Sequence, residues 1–419
     1  MHICILGAGV IGVTSAWRLL EAGHRITLVD ALPQAGSGAS FGNGAQLSYS
    51  YVAPLADPSV WSQWPHYLFS SASPLTLRPQ ADRAQWRWLL QFLAACNGRR
   101  AQRTTRELLQ LAFFSRDQLG AWHAALPFNF DHRVAGKLVM FDDPGMLESA
   151  RQQVALQAEL GCQQSVLDVA HCFDIEPALA GGTRQWSGGV YTPSEEVGDC
   201  ALFCRGLLAT MQARPDFRFA HSHPVSRPNV RNGTLHSVIA GDEELQADAF
   251  VLALGADSPA FARQAGFALP IYPLKGYSIT VPLQDPTPQS APQVSITDLS
   301  RKIVYARLGE RLRVAGRVEL VGRDRRIPPR AIAELVQGVR ELFPAHADWP
   351  DPAALAPWTG FRPATPTGVP IIGHSPLPNL YLNVGHGALG WTLACGSAAL
   401  LADQIAGRPS AIDAAPFRL

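Results

Sequence analysis

The chain has 419 residues, 47% of them apolar, which is enough for two or three domains with real cores and too long for a peptide or a single small module. Its 35 basic and 34 acidic residues leave a formal charge of +1 with only 16% of residues charged, which argues against a general nucleic-acid binder. Arginine carries nearly all the positive charge; the lysines are Lys137, Lys275 and Lys302.

The chain opens directly on an apolar, β-branched run at residues 2–6, without the basic region and cleavage site of a secretory signal. Gly7-Ala8-Gly9-Val10-Ile11-Gly12 follows, then a helical pattern to about Ala22, then Arg25-Ile26-Thr27-Leu28-Val29 ending on Asp30. Strand, glycine turn, helix and second strand within about thirty residues is the context of a dinucleotide-binding fingerprint. Gly7 permits the tight turn, Gly9 lets backbone approach a pyrophosphate, and Gly12 lets helix pack on strand. Asp30 stands where an acid accepts from a ribose hydroxyl and would repel a 2′-phosphate, so an NADP-type ligand is disfavoured.

Residues 36–46 form an uncharged, glycine-rich loop that cannot build a core but leaves room for a ligand. From Trp61 to Arg106 the chain is rich in tryptophan and arginine, a pattern that suits a helix packed on its own protein or a helix lying at a lipid surface. Strand-like runs at Lys137 to Phe141, Tyr277 to Val281, Lys302 to Arg307 and Arg311 to Gly316 predict an antiparallel sheet in an inserted domain. Between them, Ala249 to Ala256, including Ala253 and Gly255, reads as a buried strand returning to the cofactor sheet. His221 and His223 share a strand face without nearby acids or cysteines, so no metal site is expected.

Trp358 to Gly373 is punctuated by glycine and proline, holds the single arginine Arg362 and includes Gly360; Leu380 to Val384 is a strand, and Gly385-His386-Gly387-Ala388-Leu389-Gly390 opens a long helical run. A second helix N-terminus, worth about half a positive charge, can therefore face a ligand such as a flavin. Seven scattered cysteines with no C-x-x-C pair predict neither a disulfide framework nor zinc, and a cytoplasmic location. No run reaches about eighteen apolar residues, so a membrane span is not expected, and residence on a membrane surface stays open.

Together, Gly7 to Gly12, Tyr272-Pro273-Leu274-Lys275-Gly276-Tyr277-Ser278, Trp358 to Pro363, Gly385 to Trp391, and the helix opened by Ser194 to Cys200 resemble the D-amino-acid oxidase superfamily. More narrowly, they resemble the bacterial D-amino-acid dehydrogenase small-subunit family. The resemblance implies an α/β fold: a Rossmann-type, glutathione-reductase-like FAD domain (1–80, 145–265, 350–419) with an inserted α+β substrate domain on an antiparallel sheet (81–144, 266–349). It implies non-covalent FAD, with the pyrophosphate on Gly7, Ala8, Gly9, Val10, Ile11 and Gly12, the ribose on Asp30 and the adenine beside Val225. The ring would lie between the loop holding Ser40, Asn43, Gly44, Gln46 and Leu47 and the helix start at Gly387, Leu389, Gly390 and Thr392, near Ala253, Gly255 and Gly360. This chain has Ala39 where relatives have threonine, and Gly44-Ala45 where they have alanine then glycine.

Flavin oxidation of an amino acid demands mainly that the substrate be held in place. Arg362 is the expected carboxylate clamp, because a guanidinium forks onto a carboxylate with two parallel hydrogen bonds. Tyr277 and Tyr51 are candidates for closing over the substrate or for core tyrosines, and His386 for holding ring, amine or fold. The implied reaction is oxidation of a D-amino acid to an imino acid, then hydrolysis, with electrons passing to a quinone or other carrier, partner subunits included. Alternatives are a cyclic secondary amine such as D-proline or cis-4-hydroxy-D-proline, an oxygen-using oxidase, an idle flavin-binding subunit, or an NAD enzyme.

Overall fold

The computed structural model describes residues 1–58, 60–61, 75–346 and 352–419. One sheet runs Phe217–Ala220, Arg25–Val29, His2–Leu6, Ala249–Leu252, Leu380–Val384, Ile371–His374, all parallel except the last strand. Its central strands are buried apolar runs because both faces are covered. Helices Val10–Glu21, Cys200–Gln212, Gly390–Ile405 and Gly98–His123 share one core on one face. The three-stranded meander Val225–Arg231, Thr234–Ala240, Glu243–Gln246 closes the other.

The second sheet has nine strands. Eight follow the path Trp358–Ala364, Tyr272–Pro282, Arg311–Leu320, Ile303–Leu308, Ser295–Asp298, Lys137–Phe141, Gly188–Thr192, Ser165–Leu167, and Leu75–Leu77 pairs with Arg311–Leu320. Side chains alternate along each strand, so this sheet has two distinct faces. The outer face buries Leu138, Ile279, Ile296, Tyr305 and Val314 against Ala331, Leu335 and Val339 of helix Pro329–Leu342. Each such aliphatic contributes roughly 1.5–3 kcal/mol. The inner face carries Lys137, Arg313, Ala315, Gly276 and Arg362, and it receives the glycine-rich loop.

Several segments sit with the other sheet from the one expected. Gly98–His123, expected in the substrate domain, packs on Gly390–Ile405, where Gly396 lets the helices meet: a Cβ there would lie 2.9 Å from Ser115 backbone. Ser165–Leu167 and Gly188–Thr192, expected in the FAD domain, extend the nine-stranded sheet beside Lys137–Phe141. Leu75–Leu77 and Trp358–Ala364 likewise join that sheet. Hydrogen-bond ladders form between segments distant in sequence, and neither apolar periodicity nor turn residues name the partner strand. The boundary at 349–350 lies outside the described residues, as do residues 62–74 of the tryptophan- and arginine-rich stretch. What is described of that stretch includes helix Arg83–Ala95, capped by Asp82, which buries Trp88, Leu89 and Phe92 against Tyr272 and Leu274 and leaves Trp86 and Leu90 exposed.

Candidate functional site

Two of the three glycines in the N-terminal turn are required by the protein's own backbone. Gly7 has φ +107°, and a Cβ there would lie 2.5 Å from the Ala253 carbonyl oxygen; a Cβ on Gly12 would lie 1.7 Å from that of Gly7. Gly9 differs, since a Cβ there would meet only Ser40 Oγ, at 3.6 Å. Its missing side chain keeps space open in front of helix Val10–Glu21, whose first-turn N–H groups lack intrahelical acceptors. Ser40 Oγ accepts from Val10 N–H at 3.0 Å. Asp30 accepts from Ala8 N–H at 2.6 Å and Leu32 N–H at 2.8 Å, and burial pushes its carboxyl above the usual carboxylate range.

Arg362 lies opposite Leu274 on the inner face, and its Nη1 donates to the Arg317 carbonyl at 2.9 Å. Arg317 has φ +59° at an irregularity in the register with Tyr272–Pro282, and this bulge aims its carbonyl at the guanidinium. Gly276 makes the room: a Cβ there would lie 2.5 Å from the Arg362 guanidinium. Burial pushes the Arg362 pKa down to about 10, which leaves it charged at neutral pH. Among the described residues no carboxylate lies within ion-pair distance, so a five-donor fork keeps donors for an incoming carboxylate. The Trp358 indole covers the next position on this face, where a Cβ on Gly360 would lie 2.1 Å from the ring and one on Gly42 2.3 Å.

The family described as FAD dependent oxidoreductase matches residues 2–404. The chain belongs to that family. It is 48% identical to a D-amino acid dehydrogenase 2 of Ralstonia nicotianae, with 100% of both chains covered. It is 46% identical to one of Pseudomonas aeruginosa, covering 98% of this chain and 96% of the relative. Its fold is that of glycine oxidase from Geobacillus kaustophilus, with TM-score 0.78, 21% identity, and 100% and 97% of the two chains covered. It is also that of iminodiacetate oxidase from Chelativorans sp., with TM-score 0.74, 18% identity, and 99% and 98% covered. The cofactor is FAD, and the open space at Gly9 before a helix N-terminus fits its pyrophosphate.

The structure brings some of the expected residues together and separates others. Ser40, Asn43, Gly44 and Gln46 lie on one loop over the inner face: Asn43 Oδ1 accepts from Ala45 N–H at 3.0 Å, and Gln46 Nε2 donates to Ile296 O at 3.2 Å. Thr392 Oγ1, at the second helix start, accepts from Ser48 N–H at 3.1 Å, and Gly387 has φ +56° beside Ala364. Leu47 is in the first core, with Leu389 packed against it, and Val225 packs at the edge of the meander core. Gly255 has φ +56° with no atom within 4 Å of a Cβ, Ala253 abuts Gly7, and a Cβ on Gly390 would meet His386 Cβ at 3.7 Å.

Tyr277 and His386, each open between a site role and a structural one, are both tied into the fold. Tyr277 is on the outer face, opposite in parity to Gly276, and its hydroxyl donates to Glu319 Oε2 at 2.6 Å. Its phenol is pushed well above its ordinary range, mainly by burial. His386 is 2% exposed and bonds Ser397 Oγ at 3.0 Å, and burial pushes its pKa down to about 3, so it is a neutral brace for the turn. Tyr51 keeps 37% of its surface exposed, with the Lys137 ammonium 4.6 Å from its ring centre. Sequence reasoning missed Lys137, Arg313, Trp358 and Gly276 as site residues. The scarcity of lysine was the one signal for Lys137, whereas the other three acquire meaning only from cross-strand neighbours.

Proposed function

We propose that the chain is a D-amino-acid dehydrogenase that deaminates D-amino acids to 2-oxo acids and ammonium and passes the electrons to a quinone or another carrier. The observation that carries this reading is Arg362, a partly buried guanidinium with no carboxylate partner among the described residues, in a space made by Gly276. The relatives named D-amino acid dehydrogenase support it over the whole chain length. When bound, FAD supplies the two-electron oxidant for conversion of amino acid to imino acid, which water hydrolyses. The chain's own part is to hold. Arg362 fixes the substrate carboxylate, the bulge carbonyl of Arg317 fixes Arg362, and Tyr51 borders the substrate space. Gly7 to Gly12, Asp30 and the Ser40 to Leu47 loop hold the cofactor.

Trp86 and Leu90 are exposed on a helix that also presents Arg83 and Arg87, with Arg99, Arg100 and Arg103 nearby in the chain, an arrangement suited to the cytoplasmic membrane surface where a quinone is reached. No described helix is long and apolar enough to cross a membrane. The test of the activity is an anaerobic absorbance titration of the flavoprotein with D- and L-alanine, phenylalanine, arginine and proline. Bleaching by D-enantiomers is expected; bleaching by L-enantiomers alone, or by none, overturns the reading. Co-flotation with anionic vesicles tests the membrane contact.

A further inference from the structure

The loop assigned above to the flavin is held from both ends by buried cations of the nine-stranded sheet. At its start, Arg313 Nη1 donates to the carbonyls of Phe41 at 3.1 Å and Asn43 at 3.0 Å, while its Nε donates to Thr280 Oγ1 at 3.0 Å. At its end, Lys137 Nζ donates to Gln46 Oε1 at 2.6 Å and Ser48 Oγ at 3.0 Å. Between them Gly44 rests on the sheet, where a Cβ would lie 2.9 Å from Val304 Cγ2. Ser48 N–H in turn donates to Thr392 Oγ1, tying the loop to the second helix start. Lys137 and Arg313 are 2% and 5% exposed, and neither has a carboxylate within 4.0 Å among the described residues. Glu195 is the acid that acts on Lys137 at longer range; its Oε1 takes the Ser50 N–H at 2.8 Å and its Oε2 has no hydrogen-bond partner.

Burying two cations without close counter-ions is expensive unless dipoles satisfy them, and here those dipoles belong almost wholly to one short loop. Gln46–Leu47 also pair with Glu196–Val197, and the Ala45 carbonyl accepts from Gly198 N–H, so these donors act most on residues 41–44, whose glycines give little stiffness of their own. We propose that Lys137 and Arg313 are positioning residues that clamp the Phe41 to Ser48 segment on the inner face, fixing the surface that receives the flavin and keeping positive charge behind it. This rests on the assignment of that loop to FAD. A reduced flavin carries more negative charge than an oxidised one, so charge held there favours the reduced form.

The test compares wild type with Lys137→Met and Arg313→Met, reading the FAD Kd of the apoprotein by fluorescence and the flavin midpoint potential by dye equilibration. At least a tenfold rise in Kd and a more negative potential are expected for each. Arg313→Lys should restore the potential but not the affinity, since it keeps the charge and loses the fork. Folded Met variants with wild-type Kd and potential overturn the proposal. Where a Met variant does not fold, Lys137→Gln and Arg313→Lys are read in its place, and wild-type values in both overturn it equally. Neither readout uses an amino-acid substrate, so failure of the clamp is separate from failure of the D-amino-acid reading.

Discussion

On the outer face of the nine-stranded sheet, Arg317 lies between Glu319 and Glu334, Glu319 also accepts the Tyr277 hydroxyl, and Arg184 lies between Asp142 and Asp298. On the inner face, Lys137, Arg313 and Arg362 have no such carboxylates among the described residues and are held by carbonyls, an amide and hydroxyls. The contrast is between these groups rather than whole faces: Arg311, at the inner-face edge, is closed by Asp131 and Asp199, and Lys275 on the outer face is held by the Arg326 carbonyl. A closed pair has spent its attraction within the fold, whereas a cation held only by dipoles still attracts an anion that arrives.

The sharpest way to break that contrast is Arg362→Ala. Its kcat/KM with the best D-amino acid should fall about 10³-fold, on the order of 4 kcal/mol of lost transition-state binding, with Arg362→Lys recovering only part of it. Steady-state turnover with an artificial acceptor measures this, and wild-type values in Arg362→Ala would remove the inner face from the chemistry. The next effect concerns His386, for which sequence left open a role at the ring, at the amine or in the fold. The fold holds its imidazole neutral with a pKa of about 3, while the unfolded chain takes up a proton below 6.5. The unfolded state therefore binds more protons in that window, and stability present above pH 6.5 is lost progressively toward pH 3. Between pH 7 and 5 wild type should lose about 2 kcal/mol that His386→Gln does not, read as denaturation midpoints at both pH values.

A smaller change probes the closed groups. Tyr277→Phe removes one partner of buried Glu319 and should lower stability by about 1.5 kcal/mol while leaving substrate KM unchanged; a raised KM at full stability would put Tyr277 in the site after all. Least of all, Ala45→Gly should move stability by under about 1 kcal/mol, because relief at φ +58° opposes the loss of a buried methyl among Val197, Ala306 and Leu308. Thermal melts of that variant isolate the backbone strain that comes with the order Gly44-Ala45.

How far the sequence could be read follows from where the information lies. The turn at Gly7 to Gly12 was legible because strand, helix and second strand are contiguous, and all its steric demands except the contact at Ala253 are local. Arg362 stood out in the sequence as a lone arginine among glycines and prolines, but its lack of a carboxylate partner among the described residues did not. For Tyr277 the sequence left site and core open, because strand parity becomes a statement about faces only once a neighbour fixes which side is inner. Gly360 was read as cofactor space, whereas the Trp358 ring from two residues away lies over it.

Local backbone chemistry, then, was determined by sequence alone: which glycines must turn, which runs are buried strands, and that a dinucleotide is bound, since those depend on residues within one or two turns of each other. Tertiary structure alone decided which cations lack counter-ions. Pairing of charges is set by strands from distant parts of the chain, as when Tyr272–Pro282 and Trp358–Ala364 lie side by side and Gly276 yields its space to Arg362. The energy of a buried charge depends on what lies within a few ångströms, and that distance exists only in the folded molecule.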